Sequence, residues 1–257
     1  TVSFYETEAN AEGATNAITT PGAYVNTVPQ SQTIWVRVDD NTTGCYKLTT
    51  LELIVNSLPV LTQPTPLSLC DYDNPGDEQE YFTLEDASDE ILSGQTGISL
   101  TFYTTQVDAE QATNPISSPY QNLSNPQTVY VRGEDDVTGC YSVVTLDLRV
   151  NPLPSPEPNP TPLQECDPDN DGYTSFNLED RTVEIINGEA DIVITYHETQ
   201  SDAEQGVNAL VSPYENVSAW TQEVFARAEN TITGCYRVVS LELEVLESPV
   251  LPTTIED

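Results

Sequence analysis

The sequence predicts an all-β protein: tandem immunoglobulin-like β-sandwich repeats of about 95 residues, with short helical turns, strung as an extended rod. Three observations carry this. Thr-Gly-Cys-Tyr occurs three times, with its cysteine at 45, 140 and 235, so both gaps are 95 residues (140 − 45 and 235 − 140). Proline-rich segments follow at a fixed distance, Asn56-Ser57-Leu58-Pro59 through Pro66 and Asn151-Pro152-Leu153-Pro154 through Pro162. Between these marks the apolar residues alternate with period two in short runs, which suits half-buried strands.

Other landmarks keep the same step. Phe4-Tyr5, Phe102-Tyr103 and Thr195-Tyr196 correspond, as do Tyr24, Tyr120 and Tyr214. Trp35-Val36-Arg37, Tyr130-Val131-Arg132 and Phe225-Ala226-Arg227 form a third series. A period this long is a string of small domains rather than turns of a solenoid. The linkers favour extended polyproline geometry and semi-rigid spacing. The expected division is residues 1–56 as the back part of repeat 1, 57–151 as repeat 2, 152–247 as repeat 3, and 248–257 as the start of a further linker.

Repeat 3 shows the elements in order. Residues 174–178 (Thr-Ser-Phe-Asn-Leu) alternate as a strand. Asp180 is placed to cap a short helix through Ile186 that Gly188 ends. Ile192-Val193-Ile194-Thr195-Tyr196 is a β-branched strand. Ser201-Asp202-Ala203-Glu204 has capping-box spacing and predicts one helical turn. Residues 224–229 and 236–245 read as a closing antiparallel pair joined by Asn230-Thr231-Ile232-Thr233-Gly234. Leu241, Leu243 and Val245 alternate there with Glu242 and Glu244, so one face is buried and the other wet.

Composition narrows the function. The 257 residues carry 7 Lys+Arg against 42 Asp+Glu, a formal net charge of −35. Without a basic footprint, nucleic acid and anionic membrane surfaces are excluded as partners. No apolar run approaches the ~18 residues of a membrane span, so no membrane insertion is expected. The chain opens on Thr in what reads as mid-strand, with no signal peptide, and is expected to be a fragment of something longer. Five cysteines at recurring places, none in Cys-x-x-Cys pairs, argue for disulfides and an exported protein over an intracellular metal site.

The candidate site is the loop Cys166-Asp167-Pro168-Asp169-Asn170-Asp171-Gly172. Carboxylates at every second position can converge on one hard cation, and glycine permits the sharp turn, so Asp167, Asp169 and Asp171 point to Ca2+. An EF-hand loop would need a bidentate Glu at its twelfth position, where this chain has Leu178. Completion must come from elsewhere. If the last strand runs away from the N-terminal pole, Thr-Gly-Cys-Tyr lies near the repeat's own first cysteine. That predicts the bridges Cys70–Cys140 and Cys166–Cys235, and leaves Cys45 to a partner upstream. The rival pairs Cys45–Cys70 and Cys140–Cys166 would have to span a strand of about ten residues, near 33 Å, against a limit of about 7 Å between bridged Cα atoms. The same geometry delivers Glu229, with Asn230, to the calcium loop, and Glu134 with Asp135 to the equivalent loop of repeat 2. That loop reads Asp71-Tyr72-Asp73-Asn74-Pro75-Gly76-Asp77, keeping Asp71 and Asp73 and offering Asp77 where Pro75 replaces the third carboxylate. The competing reading is of solvated acidic turns.

Nothing anchors catalysis. Gly-x-Ser-x-Gly, His-Glu-x-x-His and phosphate-loop motifs are missing. His197 is the lone histidine and reads as structural. Carboxylate pairs are too abundant to mark a glycosidase. The aromatic–Val–Arg series predicts a cross-strand stack or ion pair, with a glycan platform as the lesser alternative. Asn41, Asn122 and Asn216 sit in Asn-x-Ser/Thr by chance.

Cys166 through Gly172, Tyr196-His-Glu-Thr-Gln-Ser-Asp-Ala-Glu, Thr233-Gly-Cys-Tyr, Leu241-Glu-Leu-Glu-Val and the Asn151-Pro-Leu-Pro linker together resemble the repeats of very large Bacteroidetes cell-surface proteins. These include the SprB-like mobile adhesins of gliding motility. The resemblance covers essentially the whole chain. It implies type IX export, display outside the outer membrane, and an array in which the partners are other repeats of the same long chain. It offers no catalytic residues. The function expected is therefore a calcium-stiffened, disulfide-stapled adhesin stalk. The alternatives are a module that contacts surface polysaccharide or the substratum itself, and an accessory domain of a secreted hydrolase.

Overall fold

A computed structural model describes residues 1–249, so the linker expected over 248–257 lies outside the described residues from position 250 onward. The chain forms two compact units. One comprises residues 1–63, 89–115 and 130–144; the other comprises 64–88, 116–129 and 145 onward. The division runs through repeat 2.

In the first unit, β1 (Val2–Tyr5) is followed by α1 (Glu8–Gly13), then β2 (Ser31–Asp39) and β3 (Tyr46–Ile54). These strands form an antiparallel sheet in the order β1-β2-β3. Repeat 2 contributes β4 (Leu67–Cys70), β5 (Tyr81–Phe82), α2 (Ser88–Leu92), β6 (Ile98–Tyr103), α3 (Gln106–Gln111), β7 (Tyr120–Gln121), β8 (Gln127–Asp135) and β9 (Tyr141–Asn151). Repeat 3, wholly in the second unit, has β10 (Leu163–Asp167), β11 (Ser175–Phe176), α4 (Thr182–Ile186), β12 (Ile192–His197), α5 (Gln200–Gln205), β13 (Tyr214–Glu215), β14 (Thr221–Asn230) and β15 (Tyr236–Glu247).

Repeat 3 is a sandwich of a four-stranded sheet, β10-β15-β14-β12, and a two-stranded sheet, β11-β13. β10 runs parallel to the last strand, while the other neighbours are antiparallel. Repeat 2 has the same order, β4-β9-β8-β6 with β5-β7, and β4 likewise runs parallel to β9. The alternation read in the last strand is what seats the core. Leu241, Leu243 and Val245 bury with Leu163, Phe176, Leu178, Ile185, Val224 and Ala226. Phe176, Leu178, Ile185, Leu241 and Leu243 are completely buried. At about 25 cal/mol per Å2 each such side chain contributes roughly 1.5–3 kcal/mol.

The small helices differ from expectation in detail. α5 is capped by Thr199, whose hydroxyl accepts the Asp202 amide while the Asp202 carboxylate accepts the Thr199 hydroxyl proton. Ser201 therefore lies inside the turn. Thr105 caps α3 in the same way through Asp108, and the Thr7 hydroxyl caps α1 by accepting the Asn10 amide. Asp180 falls within a 3-10 turn (Leu178–Arg181) leading into α4, and left-handed Asn187 ends that helix.

Candidate functional site

The loop after β10 is built around Asp167, whose side chain is fully buried. Its Oδ1 accepts the amides of Asp169 (3.1 Å) and Asn170 (3.0 Å), and its Oδ2 accepts that of Gly172 (2.7 Å). Asn170 and Gly172 take positive φ, 57° and 88°. A Cβ on Gly172 would sit 2.9 Å from the Ala219 Cβ and 3.1 Å from Trp220 Cε2, so only glycine passes here. Asn170 closes the loop by accepting the Ser248 amide at 2.7 Å. Asn216 anchors it from below, donating to the carbonyls of Gly172 and Ser218 and accepting the Thr174 amide.

This fold turns Asp167, Asp169 and Asp171 toward one point, with a ligand oxygen from each lying within 4.8 Å of the others. Burial opposes ionisation of Asp167, but the Gly172 amide, the Asp169 contact and the Asp169 and Asn170 amides outweigh it and hold its carboxyl below the usual range. Asp169 is pushed the other way, first by the Asp167 carboxylate beside it and then by the charge of Asp171. Such crowding is what a hard divalent cation relieves, and one oxygen from each of the three carboxylates supplies at most half of a six-to-eight-oxygen shell.

The residues expected to complete that shell are elsewhere. Glu229 Oε2 is held by Arg227 Nε at 2.7 Å, and Asn230 Oδ1 caps its own turn through the amides of Ile232 and Thr233. The reason is strand direction. β10 runs parallel to β15 and places Cys166 opposite Leu246, at the end of the last strand, whereas Cys235 and Glu229 lie at its start. Eleven residues (246 − 235) of strand separate the two ends, about 36 Å. The expected Cys166–Cys235 bridge is thereby excluded, and with it the ligation by Glu229 and Asn230. The expected pair Cys70–Cys140 fails likewise, Cys70 standing opposite Asn151 at the end of β9 while Cys140 precedes its start. Glu134 is taken by Arg132 Nε and Nη2, and Asp135 Oδ1 accepts the amides of Val137 and Thr138 and the Thr138 hydroxyl.

The bridge that does form is Cys70–Cys235, with Cα atoms 5.6 Å apart and a sequence separation of 165. It joins the first cysteine of repeat 2 to the Thr-Gly-Cys-Tyr cysteine of repeat 3. The neighbouring residues reinforce it. Tyr72 packs edge-on against Tyr236 with ring centroids 5.7 Å apart, and its hydroxyl accepts the Tyr236 amide at 3.3 Å. The Arg227 guanidinium carbon lies over the Tyr236 ring, 3.4 Å from its centroid, while its Nη1 donates to the carbonyls of Ala203 and Glu204. Arg37 over Tyr46 and Arg132 over Tyr141 repeat that arrangement. The stack and ion pair expected of the aromatic–Val–Arg series are both present, but the ring is the tyrosine after the cysteine rather than Trp35, Tyr130 or Phe225. Cys45 and Cys166 are exposed, and Cys140 half-buried, without a bridge; Cys235 is fully buried.

In repeat 2, Asp71 repeats the Asp167 position, accepting the Gly76 amide through Oδ2 at 2.6 Å. Asp77 turns to Asn74 and to the Gln79 amide. Glu80, which the sequence reading passed over, reaches back to the amides of Tyr72 (2.6 Å) and Asp73 (2.9 Å). Asn122 and Asn216 were also missed, read only as chance sequons; both are buried loop anchors. Their signal was the recurrence of Tyr-x-Asn at 24–26, 120–122 and 214–216. His197 is buried, with Nδ1 on the Val207 carbonyl and Nε2 on the Thr195 hydroxyl, which leaves it a structural role.

Among solved structures, the chain is similar to a three-domain I-band fragment of titin (11% identity, 97% of this chain and 88% of that one, TM-score 0.33). It is similar also to Drosophila N-cadherin EC1-4 (11%, 96% and 66%, TM-score 0.24) and to extracellular domains 3–5 of Drosophila OTK (6%, 85% and 72%, TM-score 0.29). A search of curated proteins finds no match. The family assignment is firm, because one profile matches three times, over residues 1–59, 66–154 and 162–249. With its immunoglobulin-like repeats and a disulfide running from one repeat to the next, the chain belongs to the Flavobacterium inter-domain disulphide bond domain family.

Proposed function

We propose that this chain is a structural spacer in a large surface-exposed adhesin of a bacterium that exports it through the type IX route, in support of attachment or gliding. Its repeats are coupled covalently, and the Asp167 loop takes calcium. The carrying observation is the Cys70–Cys235 bridge, which spends its covalent constraint on the junction between repeats 2 and 3 rather than inside either sandwich. Each core is buried without a cystine of its own. A disulfide also suits the oxidising exterior.

Cys45, Cys140 and Cys166 are, in this reading, halves of the same kind of bridge, completed by further copies of the repeat. Cys45 and Cys140 carry the same Arg–Tyr stack as Cys235, so the docking half is already formed. Calcium at Asp167, Asp169 and Asp171 relieves their mutual repulsion and fixes the loop from which Cys166 projects.

Small-angle scattering on the oxidised chain in calcium, compared with the reduced chain in chelator, tests the stiffening role. The distance distribution broadens on reduction and chelation if the spacer reading holds; an unchanged distribution contradicts it. A glycan array on the same protein should stay blank, since a spacer carries the ligand-binding parts of an adhesin without being one.

A further inference from the structure

Among the described residues, one oxygen of the Asp71 carboxylate of repeat 2 has no hydrogen-bond partner. The residue is 3% exposed, its Oδ2 accepts the Gly76 amide, and its Oδ1 is buried without a hydrogen-bond partner. In repeat 3 the equivalent Oδ1 of Asp167 accepts the amides two and three residues on. In repeat 2 the first of those amides, on Asp73, is taken by Glu80 Oε1, which also accepts the Tyr72 amide. Two residues more separate the loop glycine from the strand here (Gly76 to Glu80 against Gly172 to Thr174), which puts an acid where repeat 3 has Thr174. The amides of Glu80 and Thr174 are held by the matching anchors Asn122 and Asn216, which fixes that correspondence.

A buried carboxylate oxygen without a partner costs free energy, so in a native structure it calls for a bound water, an ion or another compensating interaction. A second carboxylate on the amide that Asp167 holds in repeat 3 makes the place more negative still, which favours a cation over a neutral water as that partner. All-oxygen donors on a short loop select a hard divalent ion over a transition metal. We propose that Asp71 and Glu80 hold a calcium-type cation in the repeat 2 loop, at a site separate from Asp167 and built from a different ligand pair. Asp73 is the adjoining exposed carboxylate, while Asp77 is engaged by Asn74 and Gln79 and takes no part. The loop holds Tyr72 and directly follows Cys70 at the end of β4, the two residues that grip Tyr236 and Cys235. Cation binding here therefore orders the repeat 2 side of the covalent junction.

Terbium, which substitutes for calcium and is sensitised by nearby aromatic rings, separates the two loops in the full oxidised chain. Trp220 packs on Gly172 of the Asp167 loop, which Tyr173 also adjoins, whereas the repeat 2 loop has Tyr72 and no tryptophan; tryptophan therefore reports repeat 3 alone, and the ligand substitutions assign the tyrosine signal. In an Asp167→Asn/Asp169→Asn background, tryptophan-sensitised emission reports the loss of the repeat 3 site, and tyrosine-sensitised emission displaceable by calcium should persist. Adding Asp71→Asn or Glu80→Gln, each of which retains an acceptor for the amides its parent holds, should then weaken terbium binding more than about tenfold, or about 1.4 kcal/mol. Mass mapping of the Cys70–Cys235 bridge and near-ultraviolet circular dichroism establish that each variant is folded. Tyrosine-sensitised binding that is missing from the background variant, or retained after either substitution, overturns the proposal. Because the background substitutions remove the repeat 3 ligands and leave Asp71 and Glu80 untouched, failure of one loop leaves the other standing.

Discussion

Arg227 shows how much one side chain can hold in this protein. It stacks on Tyr236, pairs with Glu229 and donates to two carbonyls at the end of α5. Arg227→Ala strands those carbonyls and the tyrosine face together, and should cost about 2–4 kcal/mol, read as a lower urea midpoint for repeat 3. Glu229→Gln, which leaves the stack and the carbonyl bonds intact, should cost under about 1 kcal/mol. Equal losses would show that the ion pair, not the stack, is what matters. Asp169 makes a different prediction, in pH. Its folded-state carboxyl titrates above the ordinary range because Asp167 and Asp171 crowd it. A raised pKa means a stabilising contribution present below the unfolded value and lost as pH rises through the folded one. In chelator, repeat 3 should therefore lose stability as pH rises through that titration. Calcium affinity should rise over the same window, since proton and cation compete for the oxygens. Thermal melts with and without calcium across that window check both signs; a calcium shift that is flat with pH contradicts them.

At the scale of elements, a residue at the end of each short helix separates the repeats. The left-handed cap is Gly206 in repeat 3, φ 66°, but Ala14 and Ala112 in repeats 1 and 2, at φ 50° and 53°. A Cβ in that conformation costs roughly 1–2 kcal/mol, part of which glycine gives back as unfolded-state entropy. Ala112→Gly should therefore raise the stability of repeat 2 by up to about 1 kcal/mol, while Gly206→Ala lowers that of repeat 3 by a similar amount. Denaturant midpoints settle the sign, and destabilisation by Ala112→Gly would contradict the account. Strands, helical turns and the Asp167–Gly172 loop were legible because each is written locally: period-two burial in β15, the capping-box spacing over 201–204 (two residues past the true cap, Thr199), alternate carboxylates before a glycine. The ligands and the bridge were not, because both depend on which way β10 runs beside β15. No local pattern in five residues of that strand fixes its direction. Assuming the first cysteine lay at the N-terminal pole put Glu229 at the wrong end of a strand about 36 Å long.

Over the whole molecule, the charge and the bridge belong together. A net charge of −35 repels copies and loosens acidic loops, so order in this chain must come from specific ties. Of the 7 basic residues, Arg37, Arg132 and Arg227 are buried in identical stacks on Tyr46, Tyr141 and Tyr236 and do little to neutralise the surface. The three copies of Thr-Gly-Cys-Tyr displayed the repeat at once, yet not that its cysteine reaches back to the preceding repeat. That needed Tyr72 and Cys70 set against Tyr236 and Cys235 in space. The repeat 2–repeat 3 tie is the central claim, and cutting the chain between its ends tests it most directly. A protease site inserted at the exposed Pro158–Asn159 step lies in the linker, between the two cysteines. After cleavage, a denaturing gel should show one species without reductant and two with it, and Cys70→Ser should give two in either case. Two fragments from the cleaved, unreduced protein would contradict the account.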